Sequence, residues 1–317
     1  MNILILSCGT RYKLVEYFKK CTKIEKVICS DVSELAPALL AADVAYIVPK
    51  MTDVRYLDRI IEICKKESVN AVLPLHEEEL LLISKNKKVF ADNGILPIIS
   101  DYQKVLLCKD KYELSQYLSK SGISAVESFL AEEYVSDENK SFETFFVKPR
   151  TGAGSVDTYM VHSKKMLKAI MEEYDEDFIV QPAIIGKEYG VDVYVDMISG
   201  EVISFFCKEK LRMRAGETEK SLSVRNEEIE NLVKEAVIKI GLRGPIDIDV
   251  LEKDGKFFIL EINPRFGGGY PHAYECGVDF PVLIANNCAN DVNKDKEPTY
   301  EENIIGMKYS DIVVKKK

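Results

Sequence analysis

The sequence predicts an α/β and α+β protein, in which an N-terminal doubly wound parallel sheet precedes two α+β units. Three observations support this prediction. The chain has 317 residues, of which 46% are hydrophobic, and it can therefore bury more than one core. Short apolar runs alternate with helix-length segments in the first third of the chain. Beyond them, longer alternations of polar and apolar residues indicate antiparallel strands.

Alternating strands and helices form the predicted N-terminal unit. Its strands are the apolar segments NILILS, KVICS, AYIVP and AVLPL, and its helices cover 11–20, 32–42 and 53–67. This series is typical of a parallel sheet with helices on both faces, here ending near Pro97. The first turn, SCGTR, has one glycine where a dinucleotide fingerprint needs three. We therefore favour a plain turn, with a small-ligand contact through Arg11 as the alternative.

A smaller α+β unit is predicted next. The segment 108–123 has helical periodicity and carries two lysines at its start. Beyond it, 142–161 predicts a strand, a loop and a strand, 163–174 predicts a helix, and FIVQPAIIG predicts a further strand.

The remaining sequence predicts a larger antiparallel unit. One hairpin turns at Ser199-Gly200, a helix follows over 226–241, and a second hairpin covers 246–263. The predicted domains are an N-terminal unit at 1–100, a linker helix with a small unit at 101–185, and a large unit at 186–317.

Composition excludes several classes of protein. The net charge of −9 argues against binding to a nucleic-acid backbone, which needs a basic face. The eight cysteines form no C-x-x-C pair, so scattered thiols in a reducing, cytoplasmic location are expected. The N-terminus lacks a basic signal-peptide start and no apolar run reaches 18 residues, so we expect neither export nor a membrane partner.

The strongest local motif in the middle of the chain is VKPRTGAGS. A lysine at a strand end, followed by a Gly-x-Gly turn, can direct an ammonium and several backbone N–H groups at a phosphate. The order is not that of a P-loop, because Lys148 precedes the glycines and no lysine follows them. A hairpin loop with an exposed lysine is the alternative.

A group of acids near the second hairpin depends on the register of its strands. Asp247 and Asp249 share one face of IDIDV, and Glu261 lies on the facing strand. A two-residue turn would pair Asp249 with Leu260 and separate the acids. A three-residue loop, with Gly255 left-handed in a bulge, would pair Asp247 with Glu261. We favour this second register, because the first places unpaired carboxylates among core residues at a cost of roughly several kcal/mol.

Carboxylate and amide oxygens on one sheet face suit Mg²⁺ held together with phosphate. A polar, solvent-facing strand would explain Asp247 and Asp249 alone. The continuation EINPRFGGG favours a site, because a solvated strand has no need to end in an arginine and three glycines.

These motifs resemble the ATP-grasp ligases, most closely those similar to the carbamoyl-phosphate synthetase large subunit. The resemblance spans essentially the whole chain. Its most specific part is GPIDIDVLEKDGKFFILEINPRFGGGYPHAYECGVDFP, preceded in order by DK, VKP, GKEYGVDV and RMRAGE. In that family a pre-ATP-grasp domain precedes two α+β subdomains that grip ATP between them.

The resemblance implies roles for the matching residues at the nucleotide end. Lys111 and Lys148 would contact ATP phosphates, Gln181 and Ile184 would flank adenine, and Glu188 would bind the ribose. The loop that closes over the phosphates would consist of Gly152, Ala153, Gly154 and Ser155.

At the other end, the resemblance implies that Asp249, Glu261 and Asn263 hold one or two Mg²⁺ ions, for which Mn²⁺ can substitute. Arg265 would face the reacting phosphoryl group or acyl phosphate. One departure concerns Pro182, which stands where the family often has an acid near the adenine amine, so base selectivity has less support.

Three cations alternate along one predicted strand face. Lys210, Arg212 and Arg214 could form a wall that neutralises phosphoryl charge, with Arg212 on the nucleotide and the other two acting in catalysis. A solvated basic strand is the alternative. His76 and His272 are further candidates, for which helix capping and a hydrogen-bonded structural role are the respective alternatives.

The resemblance implies a carboxylate–amine ligase that uses ATP and Mg²⁺. A small carboxylate would be activated as an acyl phosphate and passed to an amine, and the enzyme could form a homodimer. The chain lacks the second synthetase half of a full carbamoyl-phosphate enzyme. The alternatives are a protein that makes an acyl phosphate without an amine acceptor, and a nucleotide-binding module without catalysis.

Overall fold

A parallel five-stranded sheet forms the N-terminal unit. The computed structural model describes residues 1–152, 154, 156–214, 216–294 and 300–316. The strand order is β3-β2-β1-β4-β5. The strands are β1 (Asn2–Leu6), β2 (Lys26–Asp31), β3 (Val44–Ile47), β4 (Ala71–Pro74) and β5 (Leu96–Pro97). The helices are α1 (Tyr12–Lys20), α2 (Tyr56–Lys66), α3 (Glu77–Lys85) and α4 (Lys87–Asp92).

Both faces of the central strands β1 and β4 are buried, as their runs of apolar residues predict, whereas the edge strand β3 is partly exposed. On β1, Ile3 and Ile5 belong to the core that contains α1, whereas Leu4 and Leu6 belong to the core that contains α2 and α3. The doubly wound arrangement is therefore confirmed. At the carboxyl edge of the sheet, the loops that follow β1 and β4 reach the candidate site described below.

The helix predicted over 32–42 is wrong. Only a 3₁₀ turn at Pro37–Leu40 forms there. A proline disfavours helical backbone at the residue before it, and Ala36, which precedes Pro37, is accordingly extended with ψ of 112°. Asp31 also ends the preceding strand, because its carboxylate accepts the backbone N–H of Ser33 at 2.9 Å.

Two helices and a four-stranded sheet follow. The helices are α5 (Tyr102–Lys109) and α6 (Lys111–Lys120). Asp110 separates them, because its carboxylate accepts the backbone N–H groups of Tyr112 and Glu113 and so caps α6. The sheet has the order β6-β9-β7-β8. Its elements are β6 (Phe129–Leu130), α7 (Ala131–Ser136), β7 (Phe145–Pro149), β8 (Tyr159–Val161), α8 (Lys164–Glu173) and β9 (Phe178–Pro182).

The third unit is a six-stranded antiparallel sheet with the order β14-β13-β10-β11-β12-β15. Its strands are β10 (Glu188–Val195), β11 (Val202–Arg214), β12 (Glu217–Val224), β13 (Gly244–Lys253), β14 (Lys256–Asn263) and β15 (Ile305–Met307). Its helices are α9 (Glu227–Ile240), α10 (Tyr270–Glu275) and α11 (Phe280–Cys288). On β13, Ile246, Ile248 and Val250 pack with α9, so the intervening Asp247 and Asp249 face the opposite side.

The second hairpin differs from the predicted register. Its turn has two residues, Asp254 and Gly255, with φ of +53° and +72°, and Lys253 pairs with Lys256. Positive φ at both central residues matches the strand twist and suits Asp-Gly. The predicted three-residue loop with a bulge at Gly255 is therefore wrong.

A bulge farther along the hairpin brings the acids together nonetheless. The register shifts between Asp249 and Val250, which leaves Leu260 as the additional residue on β14. Beyond the shift, Asp249 pairs with Glu261 and Asp247 with Asn263. The acidic face exists as predicted, but the bulge and not the turn creates it.

No helix in the described ranges is both long and apolar enough to cross a membrane.

Candidate active site

A cavity of about 860 Å³ lies where the three units meet. Its volume is within the range of small-molecule sites. The structure brings most of the predicted site residues to its walls: Lys111, Lys148, Gly152, Gly154, Gln181, Ile184, Glu188, Lys210, Asp249, Glu261, Asn263 and Arg265. Residues from the N-terminal unit complete the lining at Arg11, Leu75, His76, Glu77 and Glu78.

Two lysines form one end of the cavity. Lys111 begins α6, and its ammonium donates to the carbonyl oxygen of Gly152 in the glycine-rich loop. Lys148 is the next-to-last residue of β7 and is buried, and within the described residues its ammonium has no hydrogen-bond or ion-pair partner. Burial lowers the pKa of Lys148 to about 8, although the nearby carboxylate of Glu261 opposes the shift. This end can therefore accept the negative oxygens of a phosphate.

Two carboxylates and an amide lie next to these lysines. Glu261 is opposite Asp249 on the paired strands, and Asn263 follows two residues later on the same face. The Glu261 carboxylate has neither a hydrogen bond nor an ion pair within the described part of the chain. Burial raises its pKa, and the negative charge of Asp249 adds to that shift, whereas Lys111 lowers it. A divalent cation would relieve this crowding, so the donor set fits Mg²⁺.

The described residues contain no cluster of three His, Cys, Asp or Glu side chains arranged as a ready metal cage. Two carboxylates and an amide are instead suited to an ion that takes its remaining oxygens from phosphate or water.

Lys210 joins the metal end to the predicted ribose contact. Its ammonium donates to Asp249 at 2.6 Å and to Glu188 at 2.7 Å. Burial alone would lower the pKa of Lys210, but Asp249 and Glu188 raise it well above its usual value. Lys210 therefore stays charged and links β11 to β10 and β13 at the cavity wall.

Arg265 connects the large unit to the N-terminal unit. Its guanidinium donates to Glu77 at 3.1 Å, to Asn263 at 3.4 Å and to the carbonyl oxygen of Phe266 at 3.1 Å. It also lies 3.9 Å from Asp247. Arg265 therefore lies beside Asn263, one of the predicted metal ligands.

The three glycines leave space for charged side chains. A Cβ atom on Gly267 would lie 2.4 Å from the carboxylate of Asp247, and one on Gly269 would lie 2.7 Å from the side chain of Lys208. A Cβ atom on Gly268 would lie 2.8 Å from the guanidinium of Arg11. The glycine-rich loop makes a similar contact, because a Cβ atom on Gly216 would lie 2.4 Å from the Gly154 oxygen.

The predicted cationic wall does not form as a single face. Arg212 and Arg214 are outside the cavity lining, with side chains 63% and 73% exposed, and both pair with Glu219. The cause is a pair of register shifts on β11 between Lys210 and Met213, which interrupts the alternation that the sequence implied. Lys210 alone of the three lines the cavity. Two predicted loop residues, Ala153 and Ser155, lie outside the described residues.

The two histidines differ in position. His76 lines the cavity and caps α3, where its Nδ1 accepts the backbone N–H of Glu78 at 3.3 Å. His272 is bonded to the Ser221 hydroxyl at 2.8 Å. Burial, with Lys208 nearby, lowers the pKa of His272 to about 4, so it is neutral at pH 7. This favours the structural alternative for His272.

Sequence reasoning missed three charged pairs around the cavity. Lys208 forms a fully buried ion pair with Asp192, Glu77 pairs with Arg265, and Arg11 lies 3.7 Å from Glu217. For Lys208 a signal existed, because it alternates with Lys210 in KEK and so shares its face. The other two pairs join residues almost two hundred positions apart or more, and no local pattern reports such a contact.

Two lysines beside two carboxylates and an amide, between two α+β sheets, have the chemistry that a magnesium–nucleotide site needs. The comparisons with known proteins agree. An ATP-grasp domain model matches residues 108–269, and a PylC-like N-terminal domain model matches residues 3–99. The chain belongs to the ATP-grasp family.

Solved structures share the fold at low sequence identity. The biotin carboxylase domain of Hydrogenobacter thermophilus 2-oxoglutarate carboxylase, a dimer solved with MgADP and bicarbonate, has a TM-score of 0.76 at 17% identity. That match covers 96% of this chain and 73% of the other. N5-carboxyaminoimidazole synthetase from Staphylococcus aureus, complexed with ADP, gives 0.74 at 17% identity, covering 96% and 79%. An L-amino acid ligase from Bacillus licheniformis gives 0.73 at 18% identity, covering 95% and 77%. No curated protein sequence matches the chain.

Proposed function

We propose that this protein is an ATP- and Mg²⁺-dependent ligase that activates a small carboxylate as an acyl phosphate and passes it to an amine. The observation that carries the proposal is the unpaired Glu261 carboxylate, which lies with Asp249 and Asn263 beside Lys111 and Lys148. An oxygen seat next to two phosphate-directed lysines is what phosphoryl transfer from a nucleotide requires. Structural similarity to an L-amino acid ligase and to two ADP-bound carboxylating enzymes supports this class of reaction.

The residues divide the work by position. In the first step a carboxylate oxygen of the substrate attacks the γ-phosphorus of ATP, and the bond from that phosphorus to ADP breaks. Lys111 and Lys148 hold the phosphate oxygens and neutralise their charge. Asp249, Glu261 and Asn263 would hold Mg²⁺, which supplies further neutralisation of phosphoryl charge when bound.

In the second step the amine nitrogen attacks the acyl carbon, phosphate leaves, and the nitrogen loses a proton. Arg265 is placed to hold the acyl phosphate, because it lies beside Asn263 and is itself fixed by Glu77. The protein does little covalent work. Positioning and charge therefore account for the catalysis.

An assay of ADP release tests the proposal. Purified protein with ATP and Mg²⁺ is given a panel of carboxylates, each with and without a panel of amines. We expect ADP formation that depends on one carboxylate and increases with one class of amine. Glu261→Gln should lower that rate at least about 100-fold, since it removes a charged ligand at the reacting phosphate. Glu16→Gln is the matched control, because Glu16 is in an exposed pair with Lys13 on α1.

Each other result has a defined meaning. Turnover that no amine changes would refute the ligase and identify an enzyme that stops at the acyl phosphate. Nucleotide binding without turnover in any combination, equal in the native protein and in Glu261→Gln, would identify a binding module.

A further inference from the structure

Arg11 is a charged side chain of the cavity that the proposed reaction leaves without a role. It lies in the loop between β1 and α1, and its side chain is 27% exposed. The described part of the chain offers its guanidinium no hydrogen-bond acceptor. Its one ion-pair contact there, to Glu217, is 3.7 Å long, beyond the length of an N–H···O bond. Five N–H donors are therefore unused at the wall of a ligand-sized cavity.

The surroundings of Arg11 hold it in place without using those donors. Glu217 is itself bonded to Lys308 at 2.7 Å through its other oxygen. Gly268 passes beneath, so close that a Cβ atom there would lie 2.8 Å from the guanidinium and 3.1 Å from the Glu217 carboxylate. Two other cavity cations, Arg265 and Lys208, differ in this respect, since each has a carboxylate partner within the protein.

Arg11 lies beside Gly268, which is on the segment that continues β14 beyond Glu261, Asn263 and Arg265. Burial lowers its pKa, and the charged groups that act on it next are Glu217, Arg265 and Asp247. The groups acting on Lys148 are instead Glu261, Lys111, Asp249 and Glu188. Along this segment Arg265 comes between Glu261, which lies beside the two lysines, and Gly268, which lies beside Arg11.

We propose that Arg11 binds the carboxylate of the amine substrate, and that this substrate is therefore an amino acid. The inference rests on the proposed ligase function. A guanidinium fork matches a carboxylate in a two-point contact. An amino acid held in this way has its amine one carbon from the anchored group, and the amine can point toward Arg265 and the acyl phosphate. An amine without a carboxylate leaves the Arg11 donors unused.

Calorimetry with protein saturated in Mg²⁺ and ADP tests the binding. The probes are the standard amino acids, each compared with its α-amide. We expect at least one amino acid to bind about 10- to 100-fold more tightly than its amide, the range expected for a charged, two-point contact. Arg11→Gln should remove this preference without changing affinity for MgADP, and Arg11→Lys should keep part of it. Arg55→Gln is the matched control, since Arg55 is in an exposed pair with Asp53 on the same unit.

A second measurement separates the amine substrate from the carboxylate substrate. The bound amino acid is incubated with ATP, Mg²⁺ and hydroxylamine, which traps acyl phosphates as hydroxamates. No hydroxamate of that amino acid should form. Its formation would show that the anchored carboxylate is the reacting group, and would overturn the proposal.

Further results would also overturn it. The first is equal affinity for amino acids and their α-amides, and the second is an unchanged preference for the amino acid in Arg11→Gln. The others are the absence of any amino-acid binding and tighter binding of a dicarboxylate than of any amino acid. Failure here is distinct from failure of the ligase function. If ADP and an amide product form equally well from amines with and without a carboxylate, only the role of Arg11 is refuted. If no substrate pair releases ADP, the ligase proposal itself fails.

Discussion

Glu79 is a buried acid whose ionisation should make folding stability depend on pH. It lies on α3 beneath the carboxyl edge of the N-terminal sheet, with an exposure of 0%. Ser7 donates to one of its carboxylate oxygens at 3.1 Å and Tyr56 donates to the same oxygen, while the other oxygen has no partner in the described structure. Burial raises the pKa of Glu79 from 4.5 to about 7, with Asp31 adding to the shift and the two hydrogen bonds opposing it.

The sign and size of the effect follow from this shift. Between pH 4.5 and 7 the folded protein binds a proton at Glu79 that the unfolded chain has lost, so stability falls as pH rises through this range. Raising the pKa of Glu79 from 4.5 to about 7 corresponds to about 3 kcal/mol in full. Between pH 5 and pH 8 the part that is measured is about 2.5 kcal/mol, since some of the shift lies below pH 5.

Urea unfolding of Glu79→Gln at pH 5 and pH 8 measures this contribution. The amide cannot ionise, so the variant should gain about 2 to 3 kcal/mol relative to the native protein on going from pH 5 to pH 8. A constant cost of placing an amide N–H₂ in the pocket cancels in this comparison. Glu62→Gln, on an exposed helix face with a 66% exposed side chain, should show no such change. A relative gain below about 0.5 kcal/mol would mean that Glu79 titrates normally, and would refute the reasoning.

Three further changes test the packing and the charges. Gly186→Ala should lower the free energy of unfolding, measured with urea, by at least about 2 kcal/mol, because its Cβ atom would lie 1.8 Å from the Glu252 carbonyl oxygen. Gly94→Ala is the comparison, since no atom lies within 4 Å of its Cβ position. Its φ of +70° should make it cost about 1 to 2 kcal/mol from backbone strain alone. Lys148 loses its proton near pH 8, so affinity for MgADP, measured by calorimetry, should weaken up to about tenfold per pH unit above that pH. Lys148→Arg should remove this pH dependence, because arginine stays charged. Burial alone would raise the pKa of Asp196, but its hydrogen bonds lower it to about 2. The free energy of unfolding should therefore fall as pH drops from about 4 to 2. Asp196→Asn should lose less thermal stability than the native protein over the same pH range.

The fold was predictable where local pattern and tertiary structure agree. The strands of the N-terminal sheet are continuous apolar runs, because both faces are buried, and such runs are visible in a single sequence. The helix predicted over 32–42 failed because Pro37 and Asp31 impose extended and turn backbone on a segment whose hydrophobic spacing resembled a helix.

The strand face on which each site residue lies was predictable wherever successive side chains alternate between the two faces of the sheet. This alternation holds for Asp247 and Asp249, so their common face followed from the sequence. It fails at the bulge beside Leu260 and at the two register shifts beyond Lys210. An inserted residue reverses the faces of all that follow it, and the sequence of a strand does not mark where the insertion occurs. The bulge beside Leu260 brought Glu261 opposite Asp249, and the shifts on β11 removed Arg212 from the cavity lining.

The charges of the cavity separate into matched and unmatched groups, and the difference indicates what the cavity binds. Lys208 with Asp192 and Arg265 with Glu77 are matched within the protein, so they hold the strands and units together. Lys148, Glu261 and Arg11 lack a hydrogen bond or close ion pair among the described residues, and a desolvated charge without a partner is costly. Such a cost is offset when a ligand of opposite charge binds. Under the proposed function and the proposed role of Arg11, a phosphate, a divalent cation and the carboxylate of an amino acid would meet these three unmatched charges.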